Sequence, residues 1–600
     1  MSSSTTPSAA PATTKYTLSV ATAARSQKRS FRESTAKFLP LFATEKRPFA
    51  AAVAAILLSS MASLVAPILI IRTIDSDIRL KNTHGLMTSA LMVLAIYVTG
   101  AIASYVNVRT MGAVGRRGLF HLRNALFLKL QELPVAFFNQ NKAGDLISRL
   151  NNDTDKLNQF VAQSLMQFVG STVLITGAGI FLLSLNIKLG FAALVPALGV
   201  VLLTRGTSGW IKRRNMASLQ SLGGMSSEVQ ESLNNFKVIV AFNRVDYFRW
   251  KFNTANEKNF AASVSAGYAN NIFMPLYGLS SHLAQLFVVA YGIYLIEAGQ
   301  VTIGLLIGFL LYVNNFYGPM RQLAAVWSSF QLAMAGVDRI SEVLALESNM
   351  PVIKAAAPVA SNSVLSFRQV WFKYPDGKEV LRDVSFEMER GKAYALVGPT
   401  GGGKTTTANL MARLYDPTQG SILLHGRDIR SYTPEERAQR IGFILQDPFL
   451  FGGTVRDNIV YGNDPYKNHS SQELAGVLEA ANLSTLISRF SEGLDTVVTT
   501  SGNSISLGQK QLIAFMRAAL RKPELLILDE ATANIDTVTE ELLQEILDKL
   551  PASTTRVIIA HRLNTIDNVD QIFFVNSGEI TLAGSMEHAV DMLLHEKRAS

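Results

Sequence analysis

The stretch GPTGGGKTTT, residues 398–407, lies two-thirds of the way along the chain and determines how its second half is interpreted. It matches the pattern G-x-x-x-x-G-K-[ST] at four positions, Gly398, Gly403, Lys404 and Thr405. The strand-like run AYALV (393–397) precedes it and the helix-like run TTANLMARLY (406–415) follows it, which is the context that the pattern requires. We therefore predict a phosphate-binding loop between a strand and a helix.

The residue types in this loop suit the phosphates of a nucleotide. Glycines let backbone N–H groups approach the phosphates, and the N-terminus of the following helix adds a favourable dipole. Lys404 is predicted to reach the β- and γ-phosphates, and the hydroxyl of Thr405 to ligate Mg²⁺. The predicted nucleotide contacts are Gly398, Pro399, Thr400, Gly401, Gly402, Gly403, Lys404, Thr405 and Thr406.

A second chemical motif, LLILDE (525–530), is a hydrophobic strand that ends in two carboxylates. Asp529 at the strand end suits Mg²⁺ coordination, often through water. Glu530 is placed to orient or deprotonate an attacking water. An ordinary strand that leaves the sheet into solvent is the plainer alternative, and the upstream phosphate loop disfavours it.

The first half of the chain has the composition of a membrane domain. Of the 600 residues 48% are hydrophobic and 17% are charged, and the mean hydropathy is +0.21. The absence of cysteine excludes disulfides, thiolate metal sites and cysteine nucleophiles. Apolar stretches near the ~20 residues that a membrane helix needs occur six times, at 48–71, 86–107, 164–185, 187–206, 271–296 and 300–322.

The placement of basic residues predicts the orientation of these spans. Segments 25–47, 109–156 and 205–258 carry seven, eight and nine Lys and Arg, whereas the alternate connections 72–85 and 297–303 carry three and none. Because positive residues collect on the cytosolic side, both termini are predicted to be cytosolic. The net charge of +10 then reflects topology, and we predict no nucleic-acid partner.

The predicted fold is an all-α membrane domain of six helices followed by an α/β domain with a phosphate loop. The first residues are rich in Ser, Thr, Ala and Pro and cannot form a core, so we expect a disordered cytosolic tail. Two long cytosolic segments with helical spacing interrupt the membrane domain. The predicted boundaries are 1–37 for the tail, 38–340 for the membrane domain, 341–362 for a linker and 363–600 for the α/β domain.

Three further motifs carry a family resemblance. SISLGQKQ (504–511), QDPFLF (446–451) and IIAHRL (558–563), together with the two motifs above, resemble the nucleotide-binding domain of ATP-binding cassette (ABC) proteins. The resemblance implies that Tyr374 stacks on adenine and that Gln446 approaches Mg²⁺ and contacts the membrane domain. It also implies that Asp536 signals between two ATP sites and that His561 binds the γ-phosphate. Lys404, Glu530 and His561 form the implied catalytic set, with ATP and Mg²⁺ as cofactors.

The membrane half independently resembles exporter-type ABC half-transporters. FFNQNKAGDLISRLNNDTDKL (137–157) and AFNRVDYFRWKF (241–252) are similar to the two cytosolic coupling segments of that family. The resemblance implies an ATP-hydrolysing translocase that works by alternating access and exports or flips an amphipathic or lipid-like substrate. An importer with the exporter fold, for example for iron chelates, and an ATP-gated channel or regulator are the alternatives.

The signature that closes the ATP site of a partner subunit departs from the family pattern Leu-Ser-Gly-Gly-Gln. Here the five residues are Ile505, Ser506, Leu507, Gly508 and Gln509. The resemblance implies that Ser506, Gly508, Gln509 and Asp536 act in trans on the ATP of an obligate partner. Leu507 at a glycine position, and Thr500 where many exporters have an acidic residue, raise the alternative of unequal ATP sites. A homodimer and a heterodimer with a second half-transporter both remain open.

Substrate and compartment are the least constrained by the sequence. Polar and aromatic residues in the last two spans are candidates for a substrate cavity and equally for bonds between helices: His282, Gln285, Asn314, Asn315 and Tyr317. The expected substrate is a small molecule or lipid in the bilayer. The chain carries no clear organelle signal, so we predict the bacterial inner membrane, with the mitochondrial inner membrane as the alternative.

Overall fold

The computed structural model describes residues 16–18, 45–355, 357–359, 361–375, 377–499, 505–529, 537–548, 550–560, 569–584 and 587–592. The chain forms two compact units, which we call the α/β unit and the helical unit. The α/β unit comprises Met1–Leu18, Leu130–Ala143 and Ala345–Ser600, and the helical unit comprises Ser19–Lys129 and Gly144–Leu344. Residues 130–143, which interrupt the helical unit in sequence, thus pack with the α/β unit.

The prediction of six apolar helices is confirmed. The described residues contain six helical segments long and apolar enough to cross a membrane: Lys46–Ile78, Thr83–Glu132, Ala143–Leu185, Ile187–Asn234, Val245–Glu297 and Ile303–Leu323. The helices of this half, with the short helix α3 that belongs to the α/β unit, are α1 (Lys46–Arg72), α2 (Thr83–Glu132), α3 (Val135–Gln140), α4 (Ala143–Ser148), α5 (Thr154–Gln159), α6 (Leu165–Leu185), α7 (Ile187–Asn234), α8 (Phe236–Ala241), α9 (Val245–Asn271), α10 (Phe273–Glu297) and α11 (Ile303–Leu344).

Small residues and buried hydroxyls hold the helical unit together. A Cβ added to Gly308 of α11 would lie 2.3 Å from Ile71 Cδ1 on α1, so glycine permits that close approach. The buried Tyr312 hydroxyl donates to the carbonyl of Leu64 over 2.6 Å. Because apolar side chains gain little from helix contact in lipid, such close packing and interhelical hydrogen bonds supply much of the association energy.

The described residues of the α/β unit form three sheets. A four-stranded antiparallel sheet has the order β2-β1-β4-β5, a six-stranded sheet has the order β12-β11-β3-β10-β9-β6, and β7 pairs with β8. The strands are β1 (Ser363–Lys373), β2 (Glu379–Glu389), β3 (Ala393–Val397), β4 (Gln419–Leu424), β5 (Arg427–Asp428), β6 (Ile441–Ile444), β7 (Gly453–Thr454), β8 (Val497–Val498), β9 (Leu525–Asp529), β10 (Thr555–Ile559), β11 (Gln571–Asn576) and β12 (Glu579–Leu582). Its remaining helices are α12 (Lys404–Met411), α13 (Pro434–Arg440), α14 (Val455–Val460), α15 (Ser471–Ala480), α16 (Ser484–Ile487), α17 (Leu507–Ala519) and α18 (Thr537–Asp548).

The larger sheet is parallel except for its edge strand β12, which pairs antiparallel with β11. Every residue of β3 and of β9 is buried, as expected for strands that are covered on both faces. β10 lies between them and pairs in parallel with each. Their carboxyl ends therefore meet at one edge of the sheet, where the phosphate loop begins after β3 and where β9 ends at Asp529. The predicted α/β class is confirmed.

Three residues of the predicted disordered tail have a defined place. Tyr16 and Leu18 are 1% and 5% exposed in the α/β unit, while Thr17 between them is exposed. The other residues of the tail, 1–15 and 19–37, lie outside the described residues. The short stretch differs from its Ser-, Thr-, Ala- and Pro-rich surroundings because Tyr16 and Leu18 supply apolar surface that can be buried.

Candidate functional site

The loop between β3 and α12 forms a cradle that only glycines fit. Gly398, Gly401 and Gly403 have φ values of 146°, 84° and 118°. Residues with a Cβ rarely adopt such backbone angles. A Cβ added to Gly398 would lie 2.0 Å from the carbonyl oxygen of Val575, and one added to Gly402 would lie 2.5 Å from the same atom. The loop thus leaves its backbone free of side chains next to the N-terminus of α12.

Lys404 is buried within this cradle. Its side chain extends back across the loop, where Nζ donates to the carbonyl oxygens of Gly398 at 2.8 Å and Pro399 at 3.0 Å. The residue is 5% exposed. A buried ammonium group beside backbone amides at a helix N-terminus suits a polyanion such as a nucleotide triphosphate.

Three oxygen ligands proposed for Mg²⁺ come from elements that the sheet places at one edge. Asp529 ends β9 and is 4% exposed. β6, which precedes Gln446, pairs in parallel with β9. Thr405 lies in the first turn of α12 and is exposed. Hydroxyl, amide and carboxylate oxygens are the hard ligands that Mg²⁺ prefers.

These residues fit a Mg²⁺ ion that is shared with a nucleotide. The described residues hold no group of three or more His, Cys, Asp or Glu side chains that could bind a metal by themselves. Mg²⁺ commonly keeps several waters and takes one or two protein carboxylates together with substrate phosphates. One buried carboxylate beside a phosphate cradle is therefore a suitable donor set.

Four residues named in the sequence predictions lie outside the described residues: Thr500, Glu530, Asp536 and His561. Glu530 is predicted to activate water, Asp536 to signal between two ATP sites, and His561 to bind the γ-phosphate. The neighbouring Asp529 and the end of β10 are described. The roles of Glu530, Asp536 and His561 therefore stay predictions.

Tyr374, the predicted adenine-stacking residue, is held by an aromatic cluster. Its ring meets Phe372 edge-on at 4.9 Å and Tyr415 edge-on at 5.2 Å between centroids. Its hydroxyl lies 3.1 Å from the hydroxyl of Thr406, in the first turn of α12. Tyr415 in turn accepts a hydrogen bond of 2.7 Å from Asn139 Nδ2 on α3, and burial raises the pKa of the Tyr415 hydroxyl.

Tyr415 and Asn139 were missed by the sequence analysis. They are separated by 276 residues, so no local pattern links them. Asn139 lies in the stretch that begins FFNQN (137–141), which resembles a coupling segment. This resemblance is the sequence signal that points to α3. The cluster connects the predicted base-binding residue with a segment that the chain inserts between two long helices.

We predict that Tyr374→Ala weakens ATP binding by about tenfold, since base–aromatic stacking contributes about 1–3 kcal/mol per base. Turnover at saturating ATP should change little, because the base is bound alike in the ground and transition states. The measurement is the dependence of ATP hydrolysis on ATP concentration. Tyr374→Phe keeps the ring and should retain nearly unchanged affinity, and an equal loss in both variants would contradict stacking.

The signature residues lie at the start of α17. Ser506 is the N-cap, and its hydroxyl accepts from the backbone N–H of Gln509 at 3.2 Å while Gln509 Oε1 accepts from the N–H of Ser506 at 2.9 Å. Gln509 Nε2 also donates to the carbonyl of Arg489 over 2.7 Å. Ser506 is exposed and Gly508 is buried. At this helix start Ser506 is thus the exposed residue, between the half-buried Ile505 and Leu507.

Leu507, which replaces a glycine of the family pattern, fits this helix start without backbone strain. It is the first helical residue of α17 and is absent from the described non-glycine residues with positive φ. The sequence alone indicated added bulk at a glycine position. The structure shows that no glycine-specific backbone conformation is required at this position.

The candidate substrate residues fall into two groups in the helical unit. Asn315 Nδ2 donates to the carbonyl of Ser63, and the Tyr317 hydroxyl donates to the carbonyl of Ala193, each over 2.9 Å. These two side chains join helices, which is the structural alternative. Gln285 Nε2 donates to Asn314 Oδ1 over 3.0 Å in an exposed pair. His282 is exposed one turn earlier on α10.

Two family profiles match this chain. The model of the ABC transporter transmembrane region matches residues 49–320, and the ABC transporter model matches residues 381–533. Both lie in one chain, in the order that the structure shows for the helical unit and the main part of the α/β unit.

Several characterised and uncharacterised proteins are similar over most of their length. The uncharacterized ABC transporter ATP-binding protein YfiC of Bacillus subtilis is 36% identical over 544 residues, 89% of this chain and 88% of its own. A multidrug resistance ABC transporter ATP-binding and permease protein of Lactococcus lactis is 32% identical, with 83% and 84% covered. A fatty acid ABC transporter ATP-binding/permease protein of Mycobacterium tuberculosis is 32% identical, with 82% and 78% covered.

A solved structure also has the same fold. It is a bacterial Atm1-family ABC exporter with ATP bound, which matches with a TM-score of 0.74 and 25% sequence identity. The match covers 92% of this chain and 97% of that chain. Both the membrane half and the nucleotide half are therefore included in the similarity.

Proposed function

The chain belongs to the ABC transporter family as an exporter-type, multi-pass membrane protein, and from this premise we propose that it hydrolyses ATP to export or flip an amphipathic, lipid-like substrate. The observation that carries the proposal is the glycine cradle around buried Lys404, on the same chain as six apolar helices. ATP bound in this cradle would place its phosphates against the backbone N–H groups and Lys404.

The α/β unit supplies the groups for hydrolysis. Mg²⁺ held by Thr405, Gln446 and Asp529 would neutralise charge on the β- and γ-phosphates. Lys404 stabilises the charge that develops on the transferred phosphoryl group, and Glu530 orients and deprotonates the attacking water. His561 is assigned to the γ-phosphate by family resemblance.

Exposed apolar surfaces support a dimer. In the helical unit, α8 begins at Phe236, and Phe242 directly follows its last residue. The side chains of Phe236 and Phe242 are 59% and 74% exposed. In the α/β unit, a groove of about 340 Å³ is lined by Phe443, Leu445, Phe449, Phe451, Tyr461 and Arg517. Contiguous exposed apolar side chains mark interaction sites. We infer that both surfaces are covered when two chains assemble.

The ATP sites form between subunits in this proposal. The exposed N-terminus of α17, with Ser506 as its cap, closes on the γ-phosphate that the partner's phosphate loop holds. Two bound ATP molecules bring the nucleotide-binding units together, and the coupling segments transmit this closure to the membrane helices. Hydrolysis and phosphate release reset the transporter. Leu507 needs no glycine-specific backbone conformation at this helix start, which is compatible with the same role in both subunits of a homodimer.

The substrate class rests on two supports. The exposed Gln285–Asn314 pair offers amide donors and acceptors among apolar helices, which suits a molecule with one polar end. The relatives named for fatty acid and multidrug transport are the second support. We place the protein in a bacterial cell membrane with both termini in the cytosol, in accord with the basic residues of segments 25–47, 109–156 and 205–258.

The test is reconstitution of the full chain in lipid nanodiscs and in vesicles. We expect Mg²⁺-dependent ATP hydrolysis that long-chain fatty acids or fluorescent lipids stimulate, with ATP-dependent accumulation of these probes in inside-out vesicles. Probe loss from such vesicles would indicate an importer. ATP-dependent ion conductance beyond any pump rate would indicate a channel. Either result would contradict export.

A further inference from the structure

A three-residue strap from the N-terminal tail, Tyr16–Leu18, is bound to α3. The backbone N–H of Tyr16 donates to Gln140 Oε1 at 2.8 Å, and that of Leu18 donates to Asn141 Oδ1 at 3.0 Å. Asn141 Nδ2 returns a bond of 2.9 Å to the carbonyl of Tyr16. The strap is therefore recognised through its backbone by two amide side chains.

The side chain of Tyr16 fixes the strap between α3 and the segment that follows α11. Its ring meets Phe137 edge-on, with centroids 6.3 Å apart. Its hydroxyl donates to the carbonyl of Glu347 at 3.1 Å and accepts from the N–H of Asn349 at 2.7 Å. The 1% exposure of Tyr16 shows that this pocket is filled.

The segment after α11 that contacts the Tyr16 hydroxyl is held in turn by Arg413. Buried Arg413 donates through Nη2 to the carbonyl of Pro351 over 2.8 Å, two residues beyond Asn349. Tyr16 thus bridges α3 to a segment that is anchored beside α12. Removal of Tyr16 would leave α3 without this bridge.

A continuous set of contacts leads from the strap to the base-binding residue. Asn139 on α3 donates to the Tyr415 hydroxyl at 2.7 Å, the Tyr415 ring packs against Tyr374 at 5.2 Å, and the Tyr374 hydroxyl lies 3.1 Å from Thr406. Every member of this set lies in the α/β unit. The position of α3 is consequently linked to the geometry of the ATP site.

From these contacts we propose that Tyr16 is a positioning residue: the strap holds α3 against the α/β unit, and this keeps Tyr415 and Tyr374 ready to bind ATP. The strap is short and comes from a tail of low hydrophobicity, so its docking is reversible. Release of the strap lowers the affinity for ATP and loosens the link between nucleotide binding and the membrane helices that α3 joins in sequence. The effect on ATP binding and transport rests on the proposed function, whereas docking of the strap does not, because docking can be measured without ATP.

The docking experiment uses the natural absence of cysteine in the full chain. Leu18→Cys places a thiol at a buried position and Thr17→Cys places one at an exposed position. We expect a maleimide to label position 18 roughly tenfold more slowly than position 17, because labelling requires local opening. Adding Tyr16→Ala should abolish this difference. Equal labelling of both positions in the presence of Tyr16 would overturn docking.

The second experiment measures ATP affinity with a fluorescent ATP analogue and the KM for hydrolysis. Tyr16→Ala and Asn139→Ala should each weaken affinity about threefold to tenfold, with a smaller change in kcat. Because both act through α3, the double variant should lose no more than the more affected single variant. Thr17→Ala is the matched control and should stay close to wild type, because it removes only a 3.5 Å contact of the exposed Thr17 hydroxyl with Gln140 Oε1. Tyr16→Phe keeps the ring contact and loses the hydroxyl, so its affinity should lie between those of wild type and Tyr16→Ala.

The outcomes separate the two proposals. Unchanged affinity in Tyr16→Ala, or effects of Tyr16→Ala and Asn139→Ala that multiply, would overturn the positioning role even if hydrolysis is normal. A chain that binds the analogue but does not hydrolyse ATP would contradict the proposed ATPase. In that case the labelling rates and analogue affinities still decide the role of Tyr16.

Discussion

Replacing Glu530 with glutamine is expected to lower ATP hydrolysis by about 10²–10⁴-fold, the usual contribution of a positioned general base. Glutamine keeps the shape and a hydrogen bond to water but cannot accept a proton. ATP binding should be retained, because the glycine cradle and Lys404 supply the phosphate contacts. The measurement is phosphate release at saturating ATP beside equilibrium binding of an ATP analogue.

A matched control residue flanks the other end of β9. Glu524 directly precedes β9, and its carboxylate pairs with Arg440 and His425, each at 2.6 Å. It therefore stands at the amino end of the strand, opposite the end that Asp529 occupies. Glu524→Gln makes the same chemical change and should leave hydrolysis near the wild-type rate. Sustained hydrolysis by Glu530→Gln would remove Glu530 from the role of base.

The fold of both halves could be predicted because it depends on local patterns. The run 393–397 is buried throughout as β3, and the uncharged run that starts at Phe49 lies in the first apolar helix. A glycine loop between a strand and a helix has few other uses. Charge and hydropathy read over ~20 residues are likewise sufficient to recognise membrane helices.

The contacts of the strap and of Tyr415 could not be predicted in the same way. Tyr16 and Asn349 are 333 residues apart, and Asn139 and Tyr415 are 276 apart. Composition around Tyr16 indicates disorder, because the few apolar side chains in the tail gain stability only when a distant surface covers them. Leu507 is a related case: the pattern indicated unfavourable bulk, and only the helix start of α17 shows that its backbone conformation is ordinary.

Two inactive variants of this chain are expected to restore hydrolysis when they are combined in one dimer. Lys404→Ala removes the phosphate contact of the subunit that carries it. Ser506→Asp places a negative charge where the partner's γ-phosphate approaches, yet aspartate still caps α17, so the fold should be retained. Each variant alone has two defective sites. The mixed dimer has one complete site and one doubly defective site, so we expect about half of the wild-type activity if the sites act independently.

The measurement uses co-expression with two different affinity tags and purification through both, followed by ATP hydrolysis in nanodiscs. The matched control combines Lys404→Ala with Glu530→Gln. Both residues act on the ATP that their own subunit binds, so each site of this mixed dimer keeps one defect and no rescue is expected. Rescue only in the first pair would mean that Ser506 acts in trans within a homodimer, since a defect in cis could not be complemented. If wild-type chain alone is a monomer without activity, Leu507 belongs to one half of a heterodimer, because the missing signature must then come from a different subunit.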